Sequence, residues 1–90
     1  MNNAHVQALL AKAIEPSSVM TVGQSTRPRT WGVYEIAAKS TTRHRMGNHP
    51  VRQQELVREF GKAQLLYLFT SRPLALHVAG LLNDQWRASR

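Results

Sequence analysis

The side chains best suited to chemistry in this sequence are the cations of residues 41–58, which read TTRHRMGNHPVRQQELVR. This segment holds four arginines, two histidines and one acidic residue. A guanidinium group donates paired hydrogen bonds that match the geometry of phosphate and carboxylate. The segment therefore predicts a site that binds an anion, and it contains no recognisable catalytic signature.

The Gly-Asn-His-Pro run at residues 47–50 marks the point where we expect a strand to pass into a helix. Free backbone N–H groups at a helix start carry a partial positive charge. Arg52 in the first turn opposes the helix dipole at a cost of ~0.3–1 kcal/mol, which a bound anion would offset. Because two further arginines precede the turn, we expect an anion-binding corner formed by Arg43, Arg45, His49 and Arg52.

A second interpretation of the same arginines is ion pairing within the chain. Arg52 and Glu55 have a spacing at which helical side chains form an ion pair. Arg58 follows Glu55 at the same spacing, so it either extends the basic surface or shares that carboxylate. Arginines on one continuous face would support the anion-binding interpretation. Arginines paired with Glu35, Glu55 and Glu59 would argue against it.

A further basic set flanks Trp31 and Tyr34, and aromatic rings beside cations can stack on nucleic-acid bases. Burial of these rings in the core is the alternative. On an alternating strand the two rings face opposite sides, so one is exposed unless both sheet faces are covered. The residues that we expect to contact nucleic acid or another anion are thus Arg43, Arg45, His49, Arg52, Arg58, Arg27, Arg29 and Lys39.

The histidines offer a weaker prediction of metal binding. His44 and His49 have a spacing that fits a zinc pair, but the chain has no cysteine to complete the site. His5 and His77 fall on predicted helices. We therefore expect no metal and no cofactor, with His49 capping a helix and His44 half-buried.

A catalytic alternative is a small basic ribonuclease of the toxin type, which cleaves RNA without a metal. The chain contains the residue types that such enzymes use, but no motif and no order of elements assigns them to roles. The residues that would supply this chemistry are Tyr34, Glu35, His44, His49 and Arg52.

The overall charge indicates an acidic partner. The formal net charge is +7, with nine arginines and three lysines against five carboxylates. Such a balance favours either nucleic acid or an acidic protein surface. The primary prediction is a non-catalytic nucleic-acid-binding or regulatory domain. The alternative is a protein-binding adaptor or inhibitor, of a kind common in plasmids and phages. A genome rich in G+C would also raise the arginine content without a functional cause.

Length and composition bound the class of protein. Ninety residues predict one compact domain over residues 1–90. The absence of cysteine fits a reducing cytoplasm. No apolar run approaches the ~20 residues that span a bilayer, so we expect no membrane partner. The chain is expected to be a monomer or a small homo-oligomer.

Three helices are predicted from apolar spacing and end signals. The first, capped by Asn2 or Asn3, presents an apolar face over residues 6–14 and ends before Pro16. The second opens at His49-Pro50 and ends at Gly61. The third is capped by Ser71 and ends near Asn83, which leaves a polar tail from about residue 84.

Strands are predicted at residues 30–38 and 42–47, as a hairpin whose arginines lie on a solvent face, and at residues 64–69, where a short helix is the alternative. A further short strand is predicted at residues 17–22. The fold class is therefore α+β, with a largely antiparallel sheet of 3–4 strands packed with three helices in two layers. The expected order is α-β-β-β-α-β-α.

Overall fold

The predicted α+β fold is confirmed by a computed structural model, which describes residues 3–14 and 29–90. In chain order its elements are α1 (Asn3–Leu10), β1 (Trp31–Lys39), β2 (Thr42–Asn48), α2 (Val51–Phe60), β3 (Ala63–Phe69) and α3 (Arg72–Ala88). The strand predicted at residues 17–22 lies outside the described residues, as does Arg27.

The three strands form one antiparallel sheet in the order β2-β1-β3. β1 and β2 make a hairpin in which Gly32 lies opposite Gly47 and Val33 lies opposite Met46. β3 pairs with the other edge of β1, so the apolar run of residues 64–69 is a strand and not a helix. The outer edge of β3 receives an isolated bridge from Ile14, whose N–H donates to the Leu68 carbonyl at 2.6 Å.

Helices cover both faces of this sheet, so the predicted two-layer packing is wrong. Val33 packs on one face with buried residues of α3, including Ala75 and Val78. Tyr34 packs on the opposite face with Ile36 and with Leu56 of α2. Successive side chains of a strand point to opposite faces, and the central strand β1 therefore supplies a core to each helix layer.

The second helix begins later than predicted, and His49 is not its side-chain cap. α2 starts at Val51, Pro50 occupies the cap position without a side-chain hydrogen bond, and the His49–Pro50 peptide is cis. The His49 N–H instead donates to the Thr30 carbonyl at 3.1 Å. The predicted stop at Gly61 is confirmed, because this residue is left-handed (φ 85°) and its N–H bonds the Val57 carbonyl.

The third helix is longer than predicted. Ser71 caps it as expected, since its hydroxyl accepts from the Leu74 N–H. The helix does not end at Asn83 but continues to Ala88. Most of the predicted polar tail is therefore helical, and the half-buried Trp86 lies on its last turns. α1, in contrast, ends at Leu10, and Ile14 belongs to the bridge with β3.

The helices in the described part of the chain are all too short or too polar to cross a lipid bilayer.

Candidate anion-binding site

The predicted corner is not a cluster of free cations. Nη2 of Arg43 lies 3.1 Å from a carboxylate oxygen of Glu35. Nη1 of Arg52 lies 3.1 Å from a carboxylate oxygen of Glu55, three residues further along α2. Both carboxylates are partly exposed, and such ion pairs contribute only about 0–1 kcal/mol to stability. Their main consequence is electrostatic, because each pair cancels a charge that an external anion would otherwise meet.

Two facing glycines determine where the corner side chains lie. A Cβ atom on Gly47 would meet the first carbons of the Arg52 side chain. A Cβ atom on Gly32, its partner across the hairpin, would lie 2.5 Å from the Tyr34 ring. Because both positions lack a side chain, the Arg52 aliphatic carbons lie against Gly47 and the Tyr34 ring lies against Gly32.

Tyr34 connects this surface to the turn before α2. Its hydroxyl is joined to Nδ1 of His49 by a 2.8 Å hydrogen bond. Burial raises the pKa of the Tyr34 hydroxyl well above its usual range, against the smaller lowering effect of the Arg52 charge. Tyr34 has no exposed surface, so this hydroxyl acts as a structural hydrogen-bonding group and is poorly placed to exchange protons with a substrate.

His44 is half-buried, as predicted, and is fixed by Asn83 of α3. The Asn83 carbonyl oxygen accepts from the His44 backbone N–H at 2.8 Å and lies 3.2 Å from Nδ1 of its ring. The Asn83 amide donates to the His44 carbonyl at 3.0 Å. Burial lowers the pKa of the His44 imidazole, although the Asn83 hydrogen bond and the Glu35 charge act in the opposite direction. Burial thus favours the neutral form of the ring.

Carboxylates are scarce on the described surface, and most are already paired. Of Glu35, Glu55, Glu59 and Asp84, all except Glu59 bind an arginine, the third pair being Asp84 with Arg87. The larger part of the cations within residues 3–14 and 29–90 consequently has no carboxylate partner.

Several of these unpaired cations lie against aromatic rings. The Phe60 ring has Lys39 Nζ at 5.9 Å and the Arg45 guanidinium at 5.6 Å from its centroid. The Trp31 ring has the guanidinium groups of Arg29 and Arg72 at 6.0 Å and 5.8 Å. A cation–π contact orients a cation while leaving its positive charge uncancelled. Arg90 likewise lies over the Trp86 ring at 4.7 Å. We call these five residues the ring-held cations: Arg29, Lys39, Arg45, Arg72 and Arg90.

Arg45 has an additional feature. Its Nε is buried and has no hydrogen-bond partner. A buried donor without an acceptor costs about 1–3 kcal/mol, so this arginine gains more than its neighbours from an incoming acceptor. With Arg52 it also lines a cleft of about 310 Å³ that runs along β2 and is bounded on the other side by α3.

The sequence-predicted residues are thus distributed unevenly. Arg45 and Arg52 share the β2 cleft, and His49 contacts Tyr34. Arg43 pairs with Glu35 and donates its backbone N–H to Asn83 of α3, so the two arginines of the hairpin do not form one open solvent face. Arg58 is exposed in the last turn of α2. Within residues 3–14 and 29–90, no group of three or more His, Asp or Glu side chains could hold a metal ion.

Several residues of the site escaped the sequence analysis. Phe60 and Arg72 are not among the predicted site residues, and Asn83 is predicted only as a helix end. Their roles arise from contacts between residues far apart in the chain, such as Asn83 with His44. The signal that was available is the apolar stripe of α3, whose continuation through Trp86 indicates a longer helix.

No family model, no curated protein and no solved structure matches this chain.

Proposed function

We propose that this protein is a non-catalytic nucleic-acid-binding domain that contacts the phosphate backbone. The observation that carries the proposal is the set of ring-held cations, whose charges remain available because aromatic rings and not carboxylates position them. Phosphate binding by Lys and Arg supplies most of the affinity in sequence-independent recognition. A net charge of +7 supports the same partner.

Ring contacts favour binding because they reduce its entropic cost. A free lysine or arginine side chain loses up to about 2 kcal/mol of rotamer entropy when it is fixed. Lys39 and Arg45 share the Phe60 ring, so part of this ordering is complete before an anion arrives. Trp31 and Phe60 pack on opposite faces of the sheet, and the proposed surface therefore wraps around the domain in two patches.

Three of the five residues named for the ribonuclease alternative have structural roles, which favours a binding function over a catalytic one. Of the residues that would serve a ribonuclease, Tyr34 is buried with a raised pKa. Glu35 is paired with Arg43, and His44 is bound to Asn83. General acid–base catalysis needs groups that reach the substrate and titrate near the working pH, and these three side chains are committed to the fold. The proposal places the protein in the cytoplasm, where a chain without cysteine is suited to the reducing conditions.

The test is fluorescence anisotropy with a labelled duplex DNA and a labelled single-stranded RNA of mixed sequence, each at two salt concentrations. We expect binding at low salt and a steep loss at high salt. A plot of log K against log salt concentration should have a slope of about −0.7 to −0.9 per neutralised phosphate. Absence of binding to both probes at low salt would refute the proposal.

A matched pair of variants tests the ring-held cations specifically. Lys39→Gln removes a lysine that lies over Phe60, whereas Lys12→Gln removes an exposed lysine for which the structure gives no ring contact and no ion pair. Both variants lower the net charge by one. We expect Lys39→Gln to weaken binding several-fold more than Lys12→Gln, and equal effects would assign the affinity to overall charge alone.

A further inference from the structure

The outer edge of β2 is a second candidate binding surface of this molecule. β2 is an edge strand of the described sheet, and its backbone groups alternate between β1 and the outer side. His49, just after β2, bonds inward to Thr30, whereas His44 bonds outward to Asn83. By this alternation Met46 and Asn48 also direct their N–H and C=O groups outward.

Asn83 shows that this edge accepts a strand-like partner. Its side-chain amide receives the His44 N–H and donates to the His44 carbonyl, which are the two hydrogen bonds that a neighbouring strand would make. The amide oxygen also accepts from the Arg43 N–H at 2.9 Å, so Asn83 satisfies the edge at Arg43 and His44. Of the next outward positions, Met46 lines the same cleft, and Asn48 follows it at the end of β2.

The two walls of the cleft differ in chemistry. On the α3 side the wall is apolar and shallow: Leu76 is 52% exposed, and a Cβ atom on Gly80 would meet nothing within 4 Å. The other wall is formed by Arg45 and Arg52, and the buried Nε of Arg45 has no acceptor. An added strand would place alternate side chains against these two walls.

We propose that the β2 cleft binds an extended peptide of a partner protein by strand addition, with apolar residues facing α3 and acidic residues facing Arg45 and Arg52. In this mode backbone hydrogen bonds provide affinity and alternate side chains provide specificity. The occupant is acidic because the wall opposite α3 is cationic and because Glu55 leaves only one of the two arginines neutralised. This site shares Arg45 and Arg52 with the proposed nucleic-acid contacts and is otherwise separate from them.

A second copy of the chain fits the edge poorly. β2 reads TRHRMGN and carries no carboxylate. Pairing two such strands would bring arginines of both copies together, and like charges across a strand pair are destabilising.

The probe is a fluorescein-labelled synthetic peptide of about eight residues with alternating valine and glutamate, long enough to span an edge strand. Its controls are the same composition arranged as a valine block and a glutamate block, and an alternating valine–lysine peptide. We expect the alternating acidic peptide to bind at least about tenfold more tightly than either control. Equal binding of the block peptide would overturn the proposal, because it would reduce recognition to net charge.

Gly80→Leu fills the cleft from α3, and Gln54→Leu adds a leucine to the exposed surface of α2 as the matched control. Gly80→Leu should weaken peptide binding at least about tenfold and leave nucleic-acid binding unchanged, whereas Gln54→Leu should change neither. Circular dichroism verifies that both variants are folded, as open space around Gly80 leads us to expect. Peptide binding that survives Gly80→Leu would overturn the proposal.

Hydrogen exchange provides a readout that charge attraction cannot mimic. Bound peptide should slow exchange of the Met46 and Asn48 amides in the 90-residue chain. If these amides exchange at the same rate with and without saturating peptide, or if they are protected in a dimer that Gly80→Leu dissociates, strand addition by a partner peptide is wrong.

Discussion

The Tyr34 hydroxyl, at the centre of β1, lies 2.8 Å from Nδ1 of His49, in the turn that leads into α2. This bond joins the buried core beneath α2 to the turn where the sequence predicts an anion-binding corner. The His49 side chain is thus engaged by β1 and does not cap α2. The predicted corner is therefore a place where the sheet is joined to the start of α2.

Tyr34→Phe removes this hydrogen bond and leaves the ring in place. We expect the free energy of unfolding to fall by about 1 kcal/mol, with an added cost if His49 is left unsatisfied. The measurement is urea denaturation at pH 7. Tyr67→Phe, at a half-buried tyrosine for which the structure gives no hydrogen bond, is the control and should change stability less.

The raised pKa of Tyr34 predicts a loss of stability in alkali. Because burial raises the folded-state pKa above the unfolded value, the contribution of Tyr34 is complete below about pH 10 and declines as the pH rises further. Denaturation series at rising pH should show a steeper decline for the native protein than for Tyr34→Phe. Parallel curves would contradict the assignment.

His44 predicts a loss of stability in mild acid. Burial lowers its folded-state pKa, so its contribution to stability is present above about pH 6.5 and is lost as the pH falls through the folded-state pKa. We expect His44→Asn to abolish this part of the pH dependence between about pH 7 and 5. His77→Asn, on the exposed surface of α3, should retain it, and a loss of the dependence in that variant instead would refute the prediction.

The surroundings of Gly32 and Gly80 predict that alanine at these two positions has opposite effects on stability. Gly32→Ala places a methyl group against the ring of the buried Tyr34, and we expect it to destabilise the protein by about 1–3 kcal/mol. Gly80→Ala meets open space within α3 and should stabilise by about 0.5–1 kcal/mol through helix propensity. Thermal denaturation of both variants compares them directly. A neutral Gly32→Ala would show that the Tyr34 ring has room to move.

Glu55 predicts a gain in nucleic-acid binding on its removal. Glu55→Gln frees Arg52 from its ion pair and should steepen the salt dependence of log K by about 0.7–0.9, with little change in stability. Glu59→Gln raises the net charge equally but releases no arginine that the structure shows in a pair, so its effect should be smaller. Identical slopes for the two variants would indicate that Arg52 does not reach the nucleic acid.

The sequence by itself determined the local elements of this protein. Gly61 required a left-handed stop, Ser71 a helix cap, and the alternation of residues 42–47 a strand, because each of these signals acts between residues close in the chain. The apolar spacing of α1 and α3 likewise identified the faces that reach the core. The sequence also established the excess of positive charge.

Only the tertiary structure decided which of those charges remain available. Arg43 is neutralised by Glu35 across the hairpin, whereas Arg45, two residues away, lies over Phe60 of α2 and keeps its charge. Asn83 closes the edge of β2 at His44, 39 positions away in the chain. Contacts of this kind depend on how the helices are placed on the two faces of the sheet, and no periodicity along the chain encodes that placement. The available charges are therefore those of the ring-held cations and of the edge of β2, and not those of the turn before α2.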